Sequence, residues 1–252
     1  MSGATTRLRR RAFESGSFPG AIPWQRLAVV AHELRRPLQP IGIAAAQMSR
    51  SADDPKKLAR LQRMIERQVE LLSRVVSDLT DTTRVATGSL SIERRSIVTT
   101  AFVERAVDAC RPAIDGRRQR LQVRLPQERF ELYADPERLS QVVVNLLENA
   151  SKFSEEGTTI RLDMRLPCDG ALLSVSDEGI GMEPDECVAM FELFAQGERA
   201  RRFRNGGLGL GLWVVRQIVR AHGGRVSARS AGAGRGTTFT ITLPRVLRAS
   251  PA

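Results

Sequence analysis

At 252 residues and 27.8 kDa, with 42% hydrophobic and 27% charged residues, the chain is globular and has room for one large domain or two small ones. Its net charge of +11 is nearly all arginine, since lysine occurs only at Lys56, Lys57 and Lys152. Two histidines and three scattered cysteines (Cys110, Cys168, Cys187) exclude a histidine-caged metal enzyme and a disulfide or zinc framework, and they suit a reducing cytoplasm; no run resembles a secretory signal or approaches the roughly 18 apolar residues of a membrane span.

Residues 1–23 read as a flexible basic tail, with a basic run from Arg7 to Arg11 and a Ser-Gly-Ser-Phe-Pro-Gly stretch from Ser15. From about Ile22 the pattern changes. Leu27, Ala31, Leu34, Leu38, Ile41, Ala45 and Met48 alternate spacings of four and three, the seam of a helix packed on other helices. Ala52-Asp-Asp-Pro55 breaks the seam, with aspartate as N-cap and proline at the first helical position. A second seam runs through Leu58, Leu61, Ile65, Gln68, Leu72, Val75 and Leu79, and Thr87-Gly88 closes it. A hairpin over 24–87 has too little core to stand alone, so two copies are expected to pair as a four-helix bundle.

Beyond residue 90 the pattern is mixed. Leu90-Ser-Ile92-Glu93 alternates as a strand, 99–111 is helical, and Leu121–Leu125 alternates again before Pro126. Asp135-Pro136 opens a strong helix to about Phe153. Strands are expected at Thr159–Leu166 and Leu172–Ser176, then a loop-rich stretch to Gly211. A helix over Leu212–Ala221 and strands at Arg225–Ser230 and Thr237–Leu243 complete the order. The fold class is therefore α+β: a helical hairpin forming a dimeric bundle, then a two-layer α/β sandwich over 90–246 and a short tail over 247–252.

Five segments carry chemistry. In Ala31-His32-Glu33-Leu34-Arg35-Arg36-Pro37, a carboxylate beside a histidine can take the proton of one ring nitrogen and make the other more nucleophilic. Pro37 and Pro40 remove helix hydrogen bonds below it, at a cost of about 3 kcal/mol for a helix-interior proline. The same residues also fit a solvated histidine on a kinked helix. Asn145, Asn149 and Lys152 share one face of their helix, where amide oxygens can hold hydrated magnesium and an ammonium can meet phosphate; a plain polar surface stripe reads alike.

Asp177-Glu-Gly179-Ile-Gly181 follows a strand, and its aspartate can reach a ligand amine while the backbone turns tightly. Asn205-Gly206-Gly207-Leu-Gly209-Leu-Gly211-Leu212 opens a helix, where bare backbone amides can cradle an anion. Neither matches a Walker loop or a dinucleotide fingerprint. Between them, Phe191 and Phe194 read as apolar anchors. Gly234-Arg-Gly236-Thr237 reads as turn chemistry before the last strand.

Taken in order, these segments resemble the catalytic core of two-component sensor histidine kinases over roughly residues 24–245. His32-Glu33-Leu34-Arg35 with Pro37-Leu38 is similar to the phosphoacceptor box, and Asn145–Lys152 to the asparagine box. Asp177/Gly179/Gly181 and Gly207/Gly209/Gly211 look like the two glycine boxes, with Phe191/Phe194 as the phenylalanine box.

The resemblance implies an ATP site in the fold of gyrase- and chaperone-type ATPases. Asp177 would accept from the adenine amine, with Thr237 nearby through water; Asn149, assisted by Asn145, would coordinate Mg2+, and Lys152 would meet phosphate. Residues 182–207 would form a mobile lid whose Arg199, Arg201, Arg202 and Arg204 screen the γ-phosphate; Leu212 stands beside the second glycine box. His32 would be autophosphorylated with Glu33 as its acid–base neighbour, and the phosphoryl group would pass to an aspartate of a separate response-regulator receiver domain. An amide at Asn145, where related ATPases carry a water-activating glutamate, implies slow hydrolysis.

Arg36 replaces the threonine or asparagine that the family places four residues after the histidine, so phosphatase activity is expected to be weak. With only about 23 residues before the first helix, sensory input is expected from another chain, the tail or missing residues, and the acceptor is expected to act in trans. The alternative is a non-catalytic dimeric phosphotransfer or scaffold module with a degenerate ATPase domain. Nucleic-acid binding is not expected, because the basic residues are dispersed and aromatics are 5%. His222 is a rival phosphoacceptor, but its place at a helix end fits a capping role.

Overall fold

The computed structural model describes residues 24–51, 54–86, 91–128, 131–202 and 208–245. The tails over 1–23 and 247–252, the Thr87-Gly88 stop, Arg204 and Gly207 lie outside the described residues, as do the side chains of His32 and Glu33. The chain divides into two compact units between Leu90 and Ser91.

The first unit is a helical hairpin of α1 (Trp24–Met48) and α2 (Pro55–Ala86). Asp54 caps α2 by accepting from the Lys57 amide at 3.0 Å, and Pro55 takes the first helical position. Helix α1 runs unbroken through both Pro37 and Pro40. The expected seam of α2 holds, with Leu58, Leu61, Ile65, Gln68, Leu72, Val75 and Leu79 all buried or half-buried.

The seam of α1 shifts by one flank. Val30, Leu34, Pro37, Ile41, Ala44 and Met48 are buried or half-buried, whereas Ala31, Leu38 and Ala45 of the expected seam are exposed. One antiparallel neighbour covers only one edge of a broad apolar arc, which leaves the other edge bare. On α2, Val69, Leu71 and Val76 are likewise exposed.

The second unit is the expected sandwich. A five-stranded sheet has the order β2-β4-β5-β7-β6, formed by β2 (Arg120–Arg124), β4 (Thr159–Arg165), β5 (Gly170–Ser176), β6 (Arg225–Arg229) and β7 (Thr238–Pro244). β2 runs parallel to β4, and the other pairs are antiparallel. Alternation sets the faces: Leu162, Val175 and Phe239 align across neighbouring strands and are all buried. The covering layer is α3 (Ala101–Gly116), α4 (Pro136–Lys152) and α7 (Gly211–Ala221), with α4 packed against both others. Short helices α5 (Pro184–Ala189) and α6 (Glu198–Arg202) lie in the stretch expected to be loop.

Two further expectations are corrected. The strand read at Leu90–Glu93 is instead β1 at Arg95–Val98, paired with a strand the sequence did not suggest, β3 (Glu131–Ala134). The Glu93 amide is taken by the Asp135 carboxylate at 3.0 Å, so it is not available to a strand ladder. Helix α3 continues past Arg111 to Gly116, because Pro112 sits on the exposed side while Ile114 beyond it is buried. Arg118, at φ 54, then ends the turn in the left-handed conformation usually given to glycine.

Candidate functional site

Helix α4 is the spine of the site. Asp135 accepts from the Arg138 amide at 3.0 Å and Pro136 fills the first turn. Leu139, Val142, Val143, Leu146, Leu147 and Ala150 are buried against the sheet and neighbouring helices. That leaves Asn145, Asn149 and Lys152 half-buried on the remaining face. Lys152 Nζ lies 5.0 Å from the centre of the Phe153 ring.

The loop after β5 docks on the end of this helix. The Phe153 carbonyl accepts from the Ile180 amide at 3.0 Å, and a side chain at Gly179 would strike that same carbonyl. A second turn, Ser230–Thr237, closes over the loop from the β6–β7 side. Gly234 and Gly236 amides donate to the carbonyls of Ile180 and Gly179 at 2.7 and 3.1 Å, and Ser230 Oγ accepts from the Met182 amide at 3.0 Å. Gly236 has φ +67, and a Cβ there would overlap the Asp177 carbonyl oxygen, so neither its conformation nor its spacing admits a side chain. Glu178 ties the outer side of the loop to β4 through Arg161 at 2.8 Å and the Thr159 amide at 3.0 Å.

These contacts fix Asp177. Its Oδ1 accepts from the amides of Gly179 at 2.9 Å and Thr237 at 3.2 Å, while Oδ2 has no hydrogen bond among the described residues. Burial pushes the carboxyl from 3.8 up to about 6, and the two amides oppose that rise. One oxygen is therefore pinned and the other left for a ligand donor. Thr237 is buried beside it.

The second glycine segment approaches α4 from the other side. Asn145 Nδ2 reaches the Gly211 carbonyl at 3.5 Å, and a Cβ at Gly211 would stand 3.7 Å from the Asn145 amide. Gly209, at φ +70, accepts at its carbonyl from the Phe194 amide at 3.2 Å and has no room for a side chain against Ala195. Phe194 is itself left-handed at φ 63 and buried. Phe191 meets Phe239 edge to face at 6.3 Å. Arg216 of α7 grips Glu192 with bonds of 2.6 and 3.2 Å. The stretch expected to be a mobile lid from Met182 is thus core at its start, because Met182, Cys187, Phe191 and Phe194 are all buried.

The structure thus brings Asn145 to Gly211, and Asp177 to Gly179 and Thr237, with Gly181 in the same loop and Leu212 in the first turn of α7. Gly236, Ser230 and the Phe153 carbonyl were missed as site residues. The Gly232-x-Gly234-x-Gly236 spacing was their visible signal.

The α/β unit matches the family model for histidine kinase-, DNA gyrase B- and HSP90-like ATPases over residues 134–247, which defines its class. Residues 25–88 match the His Kinase A (phospho-acceptor) domain. The chain therefore belongs to the sensor histidine kinases, as the paired phosphoacceptor and ATPase core of that family. Two relatives come from Synechococcus elongatus. The circadian input-output histidine kinase CikA is 31% identical over 86% of this chain and 29% of its own length. The adaptive-response sensory kinase SasA is 31% identical over 87% of this chain and 58% of its own length. The chain thus spans only part of each. Histidine kinase ThkA, solved in complex with the response regulator protein TrrA, shares the fold with a TM-score of 0.63 at 22% identity, over 95% of this chain and 65% of ThkA.

Proposed function

We propose that the chain is an ATP-dependent protein-histidine kinase that phosphorylates its own His32 and passes the phosphoryl group to an aspartate of a separate response-regulator receiver domain. The observation that carries the ATP reading is Asp177: a carboxylate with one oxygen pinned by two backbone amides and the other open suits the exocyclic amine of adenine. Thr237 flanks that position. Gly211 brings bare backbone to the start of α7, where amides can cradle phosphate, and Lys152 brings a positive charge to the same helix face as Asn149. Arg199 and Arg204 add cationic groups for the γ-phosphate.

Mg2+, bound with ATP, would be held by Asn149 assisted by Asn145, and would neutralise phosphate charge. A neutral imidazole nitrogen of His32 attacks the γ-phosphorus as the bond to the β,γ-bridging oxygen breaks and ADP departs. Glu33 takes the proton from the other ring nitrogen. Asn145 is a poor base, so water is not activated at the γ-phosphate. An aspartate carboxylate of the receiver then takes the phosphoryl group and leaves His32 free.

A homodimer through the hairpin is proposed on the bare apolar edges at Leu38, Ile43, Val69, Leu71 and Val76. No helix among the described residues is long and apolar enough to cross a membrane. Action in the cytoplasm is proposed because Cys110, Cys168 and Cys187 form no disulfide with one another. Sensory input is proposed to come from another chain or from further sequence.

The test is incubation with magnesium and γ-labelled ATP. Label that is lost in acid and kept in alkali is expected on the protein. Its absence under all conditions would favour the non-catalytic scaffold. A second measurement follows from Arg36, a half-buried cation one helical turn beyond His32 that cannot orient water as an amide or hydroxyl does. A phosphorylated receiver is expected to lose its phosphate no faster with this protein than without it. Rapid stimulation would refute that reading of Arg36.

A further inference from the structure

We infer that Gln119 is a positioning residue for the phosphate end of the nucleotide site, an inference that rests on the ATP reading above. Gln119 stands between α3 and β2 and is 4% exposed. Its Nε2 donates to the carbonyls of Ser151 and Glu155, each at 3.0 Å, and lies 3.5 Å from that of Ser154. Its Oε1 accepts from the Ser151 hydroxyl at 2.6 Å. The carbonyls fix which way the amide faces, since a reversed amide would aim its oxygen at two of them.

The last carbonyls of a helix have no partners within it. Gln119 supplies them for the final turn of α4 and the chain just beyond. Ser151 is flanked by Lys152 and lies two residues after Asn149, so the clamp bears on the turn that presents both. Arg117 adds one bond, Nη2 to the Ser154 carbonyl at 2.8 Å. Its side-chain amide gives its donors to carbonyls of this turn and the chain just beyond, and its oxygen accepts from Ser151. A leucine there would leave the carbonyls of Ser151 and Glu155 without their donor, and the turn would have to move to find water.

The adenine end shares one tie with this turn, the Ile180 amide to the Phe153 carbonyl, but its other ties run elsewhere. The Asp177–Met182 loop keeps its bonds with Gly234, Gly236, Ser230 and Thr237, none of which involves Gln119 or the carbonyls it holds. Loss of Gln119 therefore separates two affinities that an unspecific loss of stability would move together or not at all.

The experiment measures equilibrium binding of MgATP and of adenosine to the full chain, at a temperature where each variant is fully folded. Gln119→Leu is expected to weaken MgATP about tenfold while adenosine stays within about twofold, the size of one lost buried polar contact. Ser151→Ala, a milder change that removes only the partner of Oε1, is expected to act in the same direction by about twofold to threefold, and it carries the test if Gln119→Leu does not fold. Ile241→Val, in the sheet core, serves as the stability control and is expected to change neither affinity. Parallel loss of both ligands, or no change in either, overturns the positioning role. A wild-type chain that binds neither ligand overturns the ATP reading itself.

Discussion

Replacing His32 with glutamine is expected to abolish acid-labile phosphorylation, whereas His222→Gln retains it. Only two histidines exist, so the pair of variants decides the acceptor. His222 is chemically occupied. Its Nε2 accepts from the Asp135 amide at 3.0 Å, and its Nδ1–H donates to the Ile218 carbonyl at 2.8 Å, in a position only 4% exposed. Neither nitrogen has a free lone pair to offer phosphorus. Burial pushes its pKa below the ordinary 6.5, as does Arg94, against the opposing Ile218 carbonyl and Asp135 carboxylate.

A depressed histidine pKa contributes stability that is present above the unfolded value and lost as pH falls through the folded one. The His222 contribution to the stability of the ATPase unit is thus expected to be lost on acidification below about pH 6.5, against the opposite trend of Asp177, and His222→Gln to remove it. Glutamine leaves part of the network unmet, at a cost on the order of 1–3 kcal/mol in chemical unfolding. Labelling lost in His222→Gln while the protein remains folded would refute the assignment of His32.

Asp177→Asn is expected to stop ATP binding while making the ATPase unit more stable. The amides of Gly179 and Thr237 hold Oδ1, so an asparagine oxygen must stay there and its NH2 must replace Oδ2. A donor then faces the adenine amine, itself a donor, and affinity is expected to fall by about a hundredfold, a loss comparable to a charge-assisted hydrogen bond. Stability moves the other way. The carboxyl titrates at about 6 rather than 3.8, so its favourable contribution is complete below 3.8 and is lost as pH rises through 6. Removing the charge at pH 7 is expected to add stability on the order of 1–3 kcal/mol.

The wild type carries the matching signature. If the ionised form alone binds ATP, affinity is expected to drop about tenfold between pH 7 and pH 5, and no such slope should remain in any binding by Asp177→Asn. Calorimetric titration at the two pH values reads it. A variant that is destabilised, or that binds ATP as wild type does, would remove Asp177 from the role.

Much of this was legible before any coordinates. Asp135-Pro136 marked the start of α4, and the apolar periodicity after it determined which face carries Asn145, Asn149 and Lys152. The alternation of Thr159–Leu166 and Thr237–Leu243 determined which side of each strand is core. Seven-residue spacing determined the hairpin, because a helix must turn its apolar residues to one side whatever it packs against. The order of the five motifs determined the family.

Tertiary structure decided what no local pattern encodes. Which edge of the α1 arc meets α2 depends on the neighbour, so Val30, Pro37 and Ala44 are covered while Ala31, Leu38 and Ala45 are bare. β3 is four residues long and exists through its pairing with β1, so it left little periodicity to read. The open oxygen of Asp177, the closing of the Ser230–Thr237 turn over its loop, and the grip of Gln119 on α4 join residues 32 to 60 positions apart. Periodicity reports the environment of a segment, whereas a hydrogen bond between distant segments depends on where the chain brings them.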